Sequence, residues 1–321
     1  MQQSGKPANP MASPLCYRPM TRPFLRPFLV TLILTVPGTI LASTTTDSSE
    51  GERVDSSRFA RAVEGLKETE LALFLFERVE RVEDRKSMND PKPFQTRVSR
   101  VFPAGTGIAH IALGLDAAPS NASAYRNDLE NLLNALNWAA QSGKQQREAY
   151  EKVTKKQKER FDLIDQTRYA FVFTYLGEEI RDDHNLLKFR IEPNPTYRPT
   201  SRSASIFTKV KGTIWLDETS GQMARIEGDV TDDISFGIFL GKIYKGSHFK
   251  QERYELSPGV WLPTFSQYDF DGRKLFSQIS IHQKTYASKY RRVGPPADAI
   301  PLVKAELERL GSAVSKKTGA S

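Results

Sequence analysis

The chain has 321 residues, with 46 Lys plus Arg against 38 Asp plus Glu and a formal net charge of +8. Four of the basic residues, Lys6, Arg18, Arg22 and Arg26, fall in residues 1–43, which hold no acid, so the remaining 278 residues stand at only +4, too balanced for nucleic-acid binding on charge grounds. The single Cys, Cys16, excludes a disulfide, a thiolate zinc site or an iron–sulfur cluster downstream of it, and 39% apolar with 10% aromatic residues excludes a disordered chain.

Residues 20–43, MTRPFLRPFLVTLILTVPGTILAS, run from a short basic region through an apolar core to small residues, the order of a secretory signal. The apolar run from Phe28 to Leu41 would reach about 21 Å as a helix against a hydrocarbon core of about 30 Å, so cleavage near Ala42-Ser43 is favoured over a retained anchor. Met11 and Met20 stand as alternative starts. Residues 44–57 are polar and aperiodic, which predicts a flexible lead-in.

From Arg58 the spacing of Phe59, Val63, Leu66 and Glu70 predicts an amphipathic helix, followed by a strand from about Phe74. Two more strands are expected around the Pro103-Ala104-Gly105 turn. Residues 122–163 differ in kind and read as an inserted helical pair. Leu129, Leu132, Leu133 and Leu136 mark one helix, Gly143 breaks it, and a second, charged helix carries Lys144, Arg147, Lys152, Lys155, Lys156, Lys158 and Arg160 interleaved with Glu148, Glu151 and Glu159. That basic face at 144–160 is a solvated surface with a capacity for peripheral contact with anionic membrane, not a nucleic-acid site.

From Tyr169 to Val293 the pattern is β. Tyr169 to Leu176 is apolar on both faces; Leu187, Phe189 and Ile191 share a face opposite Lys188, Arg190 and Glu192; and KVKGTIWLD and QMARIEGDV flank a hairpin at Gly221. Short turns leave no room for crossovers, so the strands form an antiparallel meander. A helix from Ala299 to Leu310 closes the chain before a polar tail at 312–321. The expected fold is α+β, one domain over 58–311.

The motifs of nucleotide binding, zinc proteolysis and α/β-hydrolase chemistry are missing, and the sequence implies no cofactor, no metal ion and no catalytic residue. Asp182-Asp183-His184 reads as a turn, Glu178 and Glu179 as strand-end charges, and Ser235 with His248 lacks any motif to make it a catalytic pair. Asn121-Ala122-Ser123 matches the glycosylation triplet, which arises often by chance. What exceeds the needs of one sheet face is aromatic surface.

Gly212 with Ile214-Trp215-Leu216-Asp217 before a hairpin, Trp261-Leu262-Pro263 opening a strand, and Tyr286 to Arg292 closing the last one resemble secreted bacterial proteins of the outer-membrane lipoprotein-sorting (LolA/LolB-like) superfamily. The likeness spans residues 186–293. It implies a periplasmic protein whose strongly curved antiparallel sheet forms an incomplete barrel with helices on its concave face, around a cavity able to take acyl chains. The helical pair has no counterpart in a dedicated carrier of that family. Together these readings predict a secreted, non-enzymatic protein binding a lipid, acyl chain or other apolar ligand, with a cavity lined by Phe171, Phe173, Trp215, Ile226, Phe236, Phe239, Trp261 and Phe265. The alternative is an envelope scaffold or interaction module whose core its own helices fill, with envelope proteins as partners.

Overall fold

The computed structural model describes residues 50–318, apart from 88, 236–240 and 275–276. Helix α1 spans Glu50–Ala72, and three strands follow: β1 (Phe76–Arg85), β2 (Gln95–Pro103) and β3 (Ile108–Leu113). Helices α2 (Ala122–Ala139) and α3 (Lys144–Ala170) come next. The β region holds β4 (Phe171–Arg181), β5 (His184–Pro193), a 3-10 turn at Ala204–Lys209, β6 (Val210–Asp217) and β7 (Met223–Val230). It continues with the two-residue β8 (Ile234–Ser235) and β9 (Lys242–Ile243), then β10 (His248–Ser257), β11 (Val260–Lys274) and β12 (Ser277–Arg292), and α4 (Pro296–Thr318) ends the chain.

All twelve strands belong to one antiparallel sheet in the order β3-β2-β1-β12-β11-β10-β7-β6-β5-β4, with β8 and β9 appended beside β11. The meander expected from the turn residues is present, and the N-terminal hairpin strands extend it by pairing β1 with β12. The sheet is not closed: β3 and β4 are its two edges. The fold is therefore α+β with an open, incomplete barrel.

Side chains directly opposite in an antiparallel ladder share a face, so the register traces each face across the sheet. One row runs Ile214, Ile226, Gln251, Ser266, Thr285, Val82. The other runs Trp215, Arg225, Glu252, Phe265, Tyr286, Arg81, Val98, Leu113. Helices lie on both. Phe59 and Ala62 of α1 pack on the Ile214 face, and Leu163 and Ala170 of α3 join Val210 and Val230 there. On the Trp215 face, Tyr125, Leu129, Leu132 and Leu136 of α2 and Ala299 and Val303 of α4 pack over Phe102 and Ile111. Helices thus cover both faces of the sheet. The inserted pair splits, α2 joining the C-terminal helix and the C-terminal half of α3 joining α1.

Local sequence accounts for the helices. Asn121, in extended backbone at φ −138°, accepts a hydrogen bond from the Ala124 N–H at 2.9 Å and caps α2; its triplet serves at least this structural purpose. Tyr125, Leu129, Leu132 and Leu136 then recur at helical spacing on the buried side. Three boundaries differ from the sequence expectation. The helix α1 starts at Glu50, inside the segment predicted to be flexible. The α3 helix continues to Ala170, past the predicted strand start at Tyr169. The closing helix runs through most of the predicted polar tail.

Gly212 faces Gly228 across the β6–β7 ladder, and the backbones approach so closely that a Cβ on Gly212 would lie 2.0 Å from the Glu227 carbonyl oxygen. A Cβ on Gly228 would lie 2.8 Å from the Phe249 ring. The pair of glycines lets the sheet bend and Phe249 lie over it.

Candidate functional site

The apolar surplus seen in the sequence concentrates on the face under α1. Leu187, Phe189 and Ile191 of β5, Ile214 and Leu216 of β6 and Met223 of β7 form a buried floor, with Phe171, Phe173 and Ile226 partly buried at its margins. Against it α1 offers Phe59 and Ala62, with Leu66 partly buried. The Phe59 ring stacks on Phe173 at 3.6 Å between centroids and meets the edge of Phe189 at 5.0 Å. Phe171 continues the aromatic surface, 6.5 Å from Phe173 and 5.6 Å from Phe207.

The outward side of α1 is held by charge. It runs antiparallel to α3, with Lys67 on Asp165 at 2.7 Å, Arg168 on Glu64 at 3.5 Å, and Arg160 on Glu70. Burial works against the Lys67 ammonium, but hydrogen bonds to Asp165 and Glu64 outweigh it and hold the group above its ordinary value. At its C-terminal end α1 reaches β11, where the Thr69 hydroxyl donates to the Trp261 carbonyl at 2.8 Å.

Of the eight residues expected to line one cavity, the six that are described fall on both faces of the sheet. Phe171, Phe173 and Ile226 border the floor. Trp215 alternates with Ile214 and Leu216 and so points to the opposite face, where it packs with Leu186, Ala224 and Trp261. There the Arg225 guanidinium sits 4.2 Å from its ring centroid, the Lys188 ammonium sits 5.2 Å away, and its Nε1–H donates to Glu179 at 2.9 Å. Phe265 is on the Trp215 face too, 5.2 Å from Tyr286 and capped by Lys250 at 5.6 Å. Phe236 and Phe239 lie outside the described residues. The floor instead uses Phe59, Leu187, Phe189, Leu216 and Met223. Their signals were present, since Leu187, Phe189 and Ile191 alternate on one face and Phe59 opens the helical stripe.

The polar clusters resolve into structural roles. Asp182 and Asp183 are the two residues of a tight hairpin, both at positive φ (50° and 65°), as a type I′ turn requires. His184 Nδ1 lies 2.9 Å from Asp217 Oδ2, and its ring meets Trp261 edge-on at 4.9 Å. Burial raises the Asp217 carboxyl, but the Ser220 hydroxyl and backbone N–H, together with His184, outweigh it and hold the group below the ordinary carboxylate range. His248 pairs with Asp229 at 2.9 Å. Among the described residues, no three His, Cys, Asp or Glu side chains converge to hold a metal ion.

The exposed N-terminal half of α3 carries its basic residues on a shallow, open groove of about 590 Å³, lined by Gln141, Arg147, Tyr150, Lys155 and Lys158 among others. Intrahelical pairs such as Lys158 with Asp162 at 3.5 Å offset part of that charge. Among the described residues no helix is long and apolar enough to cross a membrane.

No family model matches the sequence, and no curated protein matches it. Solved structures similar to this chain include a domain described as an outer membrane lipoprotein-sorting protein from Vibrio parahaemolyticus, 13% identical, with 73% of this chain and 93% of that one covered at a TM-score of 0.29. A DUF1329 family protein from Desulfovibrio piger is also similar, 9% identical, with 74% of this chain and 92% of that one covered at a TM-score of 0.23.

Proposed function

We propose that this is an exported envelope protein that binds an acyl chain or another apolar ligand on the floor beneath α1, with α1 as a displaceable cover and no covalent chemistry. One observation carries the reading: six buried side chains of the sheet are met from α1 by little more than Phe59, Ala62 and Leu66. A buried methylene contributes about 0.8 kcal/mol, so a ten-carbon chain offers about 8 kcal/mol, against about 1.5–3 kcal/mol for each large side chain that α1 would withdraw. An occupant of modest length therefore offsets the lifting of the helix. The signal-like segment at residues 20–43 supports an envelope location, and the basic face of α3 gives the carrier a means of meeting anionic headgroups.

A second reading, an interaction module, draws on the edge strand β4, which pairs with β5 on one side only and where Val172, Tyr175, Leu176 and Ile180 are all exposed. The two separate by experiment. Phe173→Glu puts a charge on the ligand floor and is expected to weaken binding of a fluorescent fatty acid by about tenfold or more. Undiminished binding by the folded variant would overturn the assignment of the floor.

A further inference from the structure

On the α1 face, Arg253 of β10 is only 8% exposed, yet its Nε and Nη1 have no hydrogen-bond partner. Among the described residues the guanidinium makes one hydrogen bond, from Nη2 to the neutral Gln251 Oε1 at 3.2 Å. The groups that face it are Tyr268, Tyr290 and Gln251, and no carboxylate among the described residues acts on it. The Tyr290 hydroxyl donates to the Pro263 carbonyl and accepts nothing from Arg253 Nε or Nη1. Elsewhere the sheet treats its buried arginines differently: Arg100 holds Glu77 and Glu306, and Arg78 holds Glu80. A buried guanidinium with open donors and no counter-ion is costly, and such groups persist where water, an ion or a ligand completes them. Burial pushes this one down to about 10.

The position is tied to the floor. Gln251 pairs with Ile226, a margin residue of the apolar surface, and Arg253 lies two residues further along β10, about 7 Å away. The end of α1 reaches β11 close by, through Thr69 and the Trp261 carbonyl. We infer that Arg253 is the headgroup site of the ligand face, and that the ligand is an amphiphile whose single chain lies on the floor and whose carboxylate or phosphate accepts from one of the open N–H groups of Arg253. This rests on the proposed function, from which it adds the class of ligand. An anionic head supplies the counter-charge that the buried guanidinium lacks, while a neutral head would leave it unpaired.

Isothermal titration of the mature chain with dodecanoate, dodecyl phosphate and dodecan-1-ol tests it. The unmodified protein is expected to bind one or both anions about tenfold or more tightly than the alcohol, the better of the two identifying the headgroup as carboxylate or phosphate. Arg253→Met is expected to remove that preference, to keep the affinity for the alcohol, and to raise the melting temperature of the ligand-free protein by deleting an unpaired charge. Arg253→Lys, which keeps the charge on a shorter donor group, is expected to fall between. Equal affinity for acid and alcohol in the unmodified protein, a preference that survives in Arg253→Met, or a lower melting temperature for Arg253→Met would overturn the headgroup site. Alcohol binding without anion preference would leave the ligand floor standing; no binding of any of the three overturns both.

Discussion

Truncating Trp215 to alanine is expected to lower the stability of the protein by about 3–5 kcal/mol while leaving the fatty-acid affinity of the folded fraction unchanged. The side chain is 2% exposed and fills the space between Leu186, Ala224 and Trp261, so its removal opens a cavity that strands cannot easily close. It also strips the cation–π contact from Arg225 and the indole donor from Glu179. Chemical denaturation measures the first effect and titration with a fluorescent fatty acid the second. A folded Trp215→Ala protein that binds no ligand would place the site on the opposite face of the sheet from α1.

Replacing Arg100 by methionine is expected to be comparably severe, about 3–5 kcal/mol, for a different reason. Arg100 lies under α2 and α4, donates to Glu77 at 2.6 Å and Glu306 at 2.9 Å, and donates to the Tyr125 hydroxyl at 2.9 Å, which in turn donates to Glu306 at 2.7 Å. Arg291 completes the cluster on Glu77. Methionine fills much of the volume but strands two carboxylates in a site built around a cation. The pH dependence follows from Glu306: burial raises its carboxyl, but the Tyr125 hydroxyl and Arg100 outweigh that and hold it below its ordinary 4.5. A depressed carboxylate stabilises the fold fully above that value and loses the contribution as pH falls through its folded-state value. The unmodified protein should therefore weaken on acidification below about pH 4.5, whereas Arg100→Met, left with the burial penalty, should gain stability relative to it over the same range. Parallel denaturation series at pH 7 and pH 4 check the sign, and identical pH slopes for the two proteins would contradict the role given to Arg100.

Hairpin positions were legible in the sequence because they depend on few neighbouring residues. Gly221 adopts positive φ where the turn was expected, and Asp182-Asp183 forms the turn read from its composition. The face that each strand presents was legible within a strand but not between strands. The TIWLD run already sets Trp215 apart from Ile214 and Leu216. Relating it to Phe173 or Phe265 requires the register, and bulges at Tyr175/Gly177, Trp215/Leu216 and Glu252/Arg253 break the counting by two. Grouping aromatics by type therefore joined residues from opposite faces. The split of α2 from α3 was hidden similarly, since adjacency in sequence suits a helical hairpin and only tertiary contacts send α2 to α4. Arg253 carries no local mark: its meaning lies in the absence of a partner across strands, which spacing cannot express.

The most direct test of the ligand floor is native mass spectrometry of the mature chain, exported by a bacterial host and purified without detergent, followed by solvent extraction of whatever it retains. The expected result is a stoichiometric adduct with the mass of an anionic single-chain amphiphile, released when Phe173 is replaced by glutamate. A ligand-free mass that fatty acids and phospholipids do not shift on addition would contradict it, and would leave the exposed β4 edge as the surface through which the protein acts.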